Sequence, residues 1–386
     1  MNATKFFKMR KTALALLLLS GATAVYAGQS DLYAMSNAKG GNQIAVLKRA
    51  DDGSLQVSGR YATGGEGTGI GLVNPVDPLG SQNALLLSKN HKWLYAVNAG
   101  SNQLSVLRVL DNRLELVDVL PSGGRFPVSV AERNGILYVL NAGNEGNVTG
   151  FRIEHDGKLK AIPGSTRSLH DTPHDVGAYP DILRTPAQIQ FSPSGEWLVL
   201  TVKHFDAPGT IQRFAVNDDG LLSQTPLVSA SPDTVPFGFT FDLRGHLLVT
   251  EAISATLSSY RLDDAGALSV IGRTAPNGQL ATCWIDATRK FAYVSNTNSD
   301  TLSGYRLDRS GKLVNLNPNG VIATLAAGHG PVDVKASSDG RYLNVVNSGA
   351  GTISSYRINE VDGQLKAVSE TVVFPPLSGM EGLASE

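Results

Sequence analysis

The chain has 386 residues, 42% of them hydrophobic and 17% charged, with a formal net charge of -1. That length can bury a large core, and so balanced a charge excludes the basic face on which nucleic-acid binding rests. A single cysteine, Cys283, excludes an intrachain disulfide, while 41 glycines and 18 prolines suit a turn-rich all-β chain.

Residues 1–27 read as a secretory signal peptide. Lys5, Lys8, Arg10 and Lys11 form a positive start, "TALALLLLSGATAV" an apolar core, and Val25 and Ala27 a small-residue cleavage site. The core is shorter than the roughly 20 apolar residues of a membrane span, and no cysteine follows it to carry a lipid. The expectation is cleavage after Ala27 and a periplasmic or secreted chain, residues 28–386, with no membrane attachment.

Residues 31–65 carry the later strands of a repeating unit but lack its innermost one. A glycine-rich connector, "ATGGEGTGIGLVNPVDPLGSQ", follows. Its glycine spacing is wrong for a dinucleotide loop, and no βαβ unit surrounds it. Then comes "LYAVNAGSNQLSVLRV", which returns as "LYVLNAGNEGNVTGFRI", "AYVSNTNSDTLSGYRL" and "LNVVNSGAGTISSYRI". A second phrase, ending in Gly-x-Leu, occurs as "VLKRADDGSL", "GFRIEHDGKL", "RFAVNDDGLL", "SYRLDDAGAL", "GYRLDRSGKL" and "SYRINEVDGQL". "VLRVLDNRLEL" is a seventh copy, with Asn112 near the glycine position.

Short apolar runs precede the copies, among them "PAQIQFSPSGEW" and "PVDVKASSDGRY". Each unit therefore reads as four strands joined by hairpins, and seven such units predict an all-β, seven-bladed β-propeller. The C-terminal "GMEGLASE", residues 379–386, resembles the missing inner strand and is expected to complete the first blade. An insertion, "IPGSTRSLHDTPHDVGAYPDILRTP", joins the third and fourth blades. It and the glycine-rich connector each run from an outer strand to the next inner one, which places both near one mouth of the central channel.

The phrases "SPSGEWL", "SDGRYL" and "YVSNTNSDTLSGYRL" resemble the lactonase family of seven-bladed propellers, which includes 6-phosphogluconolactonases and carboxymuconate lactonizing enzymes, and more narrowly an exported, 3-carboxymuconate-cyclase-like branch. The resemblance implies polar groups at the starts of inner strands and after second strands, converging on one mouth. There a histidine and arginines would bind carboxylates or polarise a lactone carbonyl, and a glutamate or histidine would handle protons. At the positions where the resemblance implies His, Arg-His and a Glu and Arg, this chain has Ala187 beside Gln188, Phe237 and Gly238, and Thr282 and Trp284. Glu251 is the candidate for the family's acidic residue. It could equally hold the repeating position of Asn98, Asn141, Asn296 and Asn347, whose amides are read as tying their hairpins.

The catalytic candidates are Glu251 and His329, the latter because histidine transfers protons most readily near neutral pH. The substrate-binding candidates are Arg125, Gln188, Lys203, His204, Trp284, Asp333 and Lys335. Asp333 and Lys335 alternate with Val332 and Val334, which puts both on one face of an innermost strand. Lys203 and His204 share the location of Glu251 one blade earlier. Cys283 lacks a local base and reads as a small buried apolar residue. His170, Asp171, His174, Asp175 and Asp181 could bind a metal, but Pro173 keeps the two histidines off a shared helix face, and a polar surface loop is the reading; no metal and no cofactor are expected. No serine-nucleophile elbow or phosphate loop is present. The expected function is that of an exported lactonase-like propeller hydrolysing or forming a lactone ring in a small carboxylated metabolite. The alternative is a non-catalytic propeller that binds a small molecule, glycan or protein.

Overall fold

A computed structural model describes residues 31–111 and 113–386; the expected signal peptide lies outside them. Seven antiparallel blade sheets follow one another in sequence, with a further two-stranded sheet, Asp175–Val176 and Tyr179–Pro180, in the insertion, and among the described residues there is no α-helix. Blade 1 holds Asp31–Met35, Gln43–Arg49 and Leu55–Ala62. Its innermost strand is Leu383–Ser385, which pairs Leu32 with Ser385 and Ala34 with Leu383. The other six blades begin at their inner strands, Leu85–Leu87, Pro127–Arg133, Pro186–Phe191, Pro236–Phe241, Thr282–Ala287 and Pro331–Ala336, and run outward in chain order.

Burial explains which residue types stand where. Second strands such as Ile136–Asn141 and Tyr342–Asn347 are buried at every position, because blades press on both faces. Outer strands such as Leu55–Ala62 show the alternation of a sheet wetted on one side.

The Gly-x-Leu phrase has a packing cause. The glycine of each turn approaches a bulky residue of the blade before it: Gly53 meets Tyr342, Gly157 meets Trp93, Gly266 meets Trp197 and Gly363 meets Phe291. A Cβ at Gly266 would lie 2.4 Å from the Trp197 ring, and φ there is +80°. Only glycine meets both demands at low cost.

The ring closes through side chains as well as the terminal strand. Arg49 of blade 1 donates to Asn344 Oδ1 at 3.0 Å and to Ser355 Oγ at 3.2 Å in blade 7, and its guanidinium lies 4.5 Å from the centre of the Tyr342 ring. These bonds join residues some 300 positions apart in the chain.

Candidate functional site

The two long connectors do meet at one mouth. Gly177 of the insertion abuts Leu72, and Gly80 abuts Ile182. Farther along the same connector Val76 reaches Gly330, beside blade 7. Together they form a lid.

Below the lid, residues 79–83 enter the channel and plug it. Ser81 Oγ donates to Val128 O at 2.9 Å, and the Gln82 backbone N–H to Ala187 O at 3.2 Å. The Gln82 amide brackets Ile285, donating to its carbonyl at 2.9 Å and accepting its N–H at 3.0 Å. Trp284 Nε1 donates to Ser81 O at 2.6 Å. These bonds hold the segment to blades 3, 4 and 6.

Between lid and plug lies a buried set of ionisable groups. Asp77 comes from the lid, and Lys203 follows the second strand of blade 4. Cys283 starts the inner strand of blade 6, Asp333 that of blade 7, and Glu381 precedes the closing strand. Glu381 accepts the backbone N–H groups of Leu79 at 2.9 Å and Ser81 at 3.1 Å. Lys203 Nζ donates to Gly80 O and lies 4.7 Å from the centre of the Phe237 ring, itself stacked edge-on against Trp284 at 4.7 Å. Asp333 Oδ2 has no hydrogen-bond partner.

Fully ionised, three carboxylates and one ammonium would leave a net charge of -2 in a site closed to water, and a buried charge is costly. Proton affinities therefore shift. Burial raises Asp77 to about 6, against the opposing pull of Lys203, and raises Asp333 to about 7 against Lys335. Burial and then the Asp77 charge lift Glu381 well above the carboxylate range. Burial lowers Lys203 to about 8, although Asp77 works the other way. The Cys283 thiol is pushed up by burial and by Asp77, so it is held as a neutral thiol.

Of the nine residues expected from sequence, Lys203, Trp284 and Asp333 share this buried region. Gln188 is buried one layer away, where its amide brackets Phe239 at 2.8 and 2.7 Å. Lys335 instead faces the opposite mouth, 3.6 Å from Asp286. The simple alternation expected of Asp333 and Lys335 is interrupted: a β-bulge makes Asp333 an extra residue between Val332 and Val334, at φ +44°. Short polar residues tolerate that left-handed conformation best.

Trp284, a substrate-binding candidate from sequence, is fully buried and forms part of the wall around the plug. The Lys203 and His204 alignment is also displaced. Glu251 pairs with Thr256 as Val202 pairs with Thr210, so Val202 is its true equivalent and Lys203 stands one residue farther on.

Glu251 does hold the repeating asparagine position. It is completely buried, accepts Ser231 Oγ at 2.7 Å, and burial raises it to about 7. Three of its asparagine counterparts donate to a serine of the next strand: Asn98 to Ser105 at 2.7 Å, Asn296 to Ser303 at 2.9 Å and Asn347 to Ser354 at 2.8 Å. In blade 5 the corresponding serine is Ser258, but among the described residues neither its Oγ nor Glu251 Oε1 makes a hydrogen bond.

The remaining three lie farther out. Arg125 grips the insertion, bonding Asp175 at 3.0 Å and Ala178 O at 2.8 Å. His204 Nδ1 stands 3.8 Å from Asp171, and His329 Nε2 lies 2.9 Å from Glu370 on the surface. Among the described residues, no group of three or more His, Cys, Asp or Glu side chains is arranged to hold a metal.

Residues 261–378, from the third strand of blade 5 to the connector beyond blade 7, match the family described as "Lactonase, 7-bladed beta-propeller". The chain as a whole is a seven-bladed propeller, and its blades 5 to 7 are similar to that family. A Bacteroides fragilis protein provisionally described as a 6-phosphogluconolactonase superposes with a TM-score of 0.72 at 17% identity, over 93% of this chain and 98% of its own. The periplasmic gluconolactonase of Pseudomonas aeruginosa gives 0.70 at 17%, over 93% and 99%. An uncharacterized protein of Staphylococcus aureus is 35% identical over 81 residues, which is 20% of this chain and 24% of that relative.

Asp77 and Glu381 were not identified from sequence. Asp77 sits in a connector that reads as turn chemistry, and Glu381 in a tail that reads as a closing strand. Their meeting depends on contacts about 300 residues apart, which no local pattern records. The inner-strand positions Ala187, Phe237, Gly238 and Trp284 surround the plug, and a Cβ on Gly238 would meet Gln82 Oε1 at 2.4 Å.

Proposed function

We propose that the protein hydrolyses a lactone ring in a small carboxylated metabolite, at the region shared by Asp77, Lys203, Asp333 and Glu381. The observation that carries this reading is their convergence at the axis, at the starts of inner strands and beneath a connector. Loop 70–76 has few ties: its backbone bonds are internal ones, Gly71 N–H to Pro75 O and Asp77 N–H to Asn74 O. Lifting it exposes Asp77 and Lys203 while Glu381 still holds residues 79–81.

Ring opening needs a base for water and a cation for the developing oxyanion. An ionised Asp333 or Asp77 takes a proton from water as its oxygen bonds to the lactone carbonyl carbon. The Lys203 ammonium faces the oxyanion. The ring C–O bond then breaks, and the departing alkoxide takes the proton held by the carboxyl. Perturbed acid–base groups with opposed partners are characteristic of such sites. Export is part of the reading, through residues 1–27; among the described residues no helix is long and apolar enough to cross a membrane.

The test is a panel of five- and six-membered aldonolactones and carboxylated lactones, followed with a pH indicator. Turnover in the native chain, and its loss in Lys203→Met and Asp333→Asn at unchanged circular dichroism, is the expected result. Equal turnover in those variants overturns the assignment. A second reading, a propeller that binds without catalysis, is favoured by Phe237 and Trp284 standing where the family resemblance implies polar groups. Saturable binding of a panel member without turnover would establish it.

A further inference from the structure

The opposite mouth of the channel is open. A cavity of about 510 Å³ lies there, lined by the far ends of inner strands from six blades and floored by Gln82 of the plug. That volume is typical of small-molecule sites, and the plug lies between it and Asp77 and Lys203, while Lys335 and Asp286 of its wall act electrostatically on Asp333.

Its charges cancel: Lys89, Arg133 and Lys335 face Glu132, Asp242 and Asp286. Several are already occupied. Arg133 donates to Ser194 O at 2.7 Å, Asp242 binds His246 Nδ1 at 2.8 Å, and Asp286 accepts the Ala336 N–H at 2.9 Å. The groups with most capacity left are the Glu132 carboxylate, the Gln190 amide and the Lys89 ammonium, since Lys335 is ion-paired with Asp286 at 3.6 Å. Glu132 makes one long contact, from the Lys89 N–H at 3.5 Å. Gln190 accepts from Gln188 at 3.3 Å, which leaves its own N–H groups free to donate. Phe241, half-buried, supplies apolar surface between these groups, while Phe191 is packed in the core.

We propose that this cup binds a neutral, polyhydroxylated ligand of one or two sugar rings. Zero net charge gives no preference for an anion. Interspersed donors and acceptors match vicinal hydroxyls, which both donate and accept, and the half-buried Phe241 ring offers apolar surface to the C–H face of a pyranose.

Calorimetric titration of the full chain with glucose, galactose, mannose, maltose and lactose, with gluconate as the anionic control, tests this. At least one neutral sugar is expected to bind saturably with Kd of about 1 mM or tighter. Glu132→Leu and Gln190→Leu should each weaken that binding at least tenfold while leaving Tm within a few degrees. Absence of saturable binding by every neutral sugar, tighter binding of gluconate than of any of them, or affinities unchanged in both variants overturns the proposal.

Discussion

Glu381 and Ser81 are joined across 300 residues of sequence, the Glu381 carboxylate accepting the Ser81 N–H at 3.1 Å. The other carboxylate oxygen takes the Leu79 N–H at 2.9 Å. One side chain thus ties the residues before the closing strand to the plug that fills the channel. Glu381→Ala should leave two buried N–H groups without acceptors, at about 1–3 kcal/mol each. Denaturant titration is expected to show a loss of about 2–5 kcal/mol, well beyond that of an exposed Glu360→Ala control. A loss no larger than the control's would show that the tie contributes nothing.

Glu251 makes stability depend on pH. Its carboxyl titrates at about 7 in the folded chain against an ordinary 4.5, because burial disfavours its charge. Between those values the folded state holds a proton that the unfolded state has released. Glu251 therefore costs nothing below about pH 4.5, and its penalty grows as pH rises, levelling above about 7 at about 3 kcal/mol. Glu251→Asn restores the residue of the neighbouring blades. The variant should match the native chain at pH 4.5 and exceed it at pH 8 by roughly that amount. Parallel stability curves for the two proteins between pH 4.5 and 8 would contradict the assignment.

Local periodicity revealed much of the architecture because the propeller is built by repetition. Each hairpin writes its own turn glycine and apolar strands into nearby sequence, so blade number and the closing strand were legible. The site was not. Asp333 reads as an ordinary alternating residue, yet it occupies a bulge, and bulges depend on what packs over the strand. Lys203 is aligned by pattern to within one residue, but one residue decides whether it meets Asp77 or packs in a sheet. The plug escaped notice for a related reason: Ser81 and Gln82 precede a strand of only three residues, Leu85–Leu87, and their partners lie on blades 3, 4 and 6.

The inter-blade glycines give a prediction independent of function. Gly266→Ala places a methyl group 2.4 Å from the Trp197 ring at φ +80°. Trp197 is buried, so the ring has little room to withdraw. Combining backbone strain with overpacking, the substitution should destabilise by about 2–4 kcal/mol. Gly245→Ala, at φ +85° with nothing within 4 Å of the added atom, isolates the backbone part and should cost less. Guanidinium midpoints that fall equally for both variants would remove the packing explanation.

If Asp77, Asp333 and Lys203 perform ring opening, turnover must follow their opposed shifts. The base has to be ionised, so kcat/KM should rise with pH as carboxyls held at about 6 and 7 lose their protons. Lys203 has to be protonated, so the rate should fall beyond about pH 8, where burial has brought its ammonium. The expected profile is a narrow bell with its maximum between pH 7 and 8. Lys203→Met removes the alkaline limb and the oxyanion partner together, and should lower kcat by on the order of 100-fold, in the range of a lost oxyanion donor. Lys203→Arg keeps the charge but cannot lose its proton in this range. It should flatten the alkaline limb even where activity is partly retained, an effect that a merely structural lysine would not produce. Persistence of the alkaline limb in Lys203→Arg would assign that ionisation to another group and remove Lys203 from the reaction.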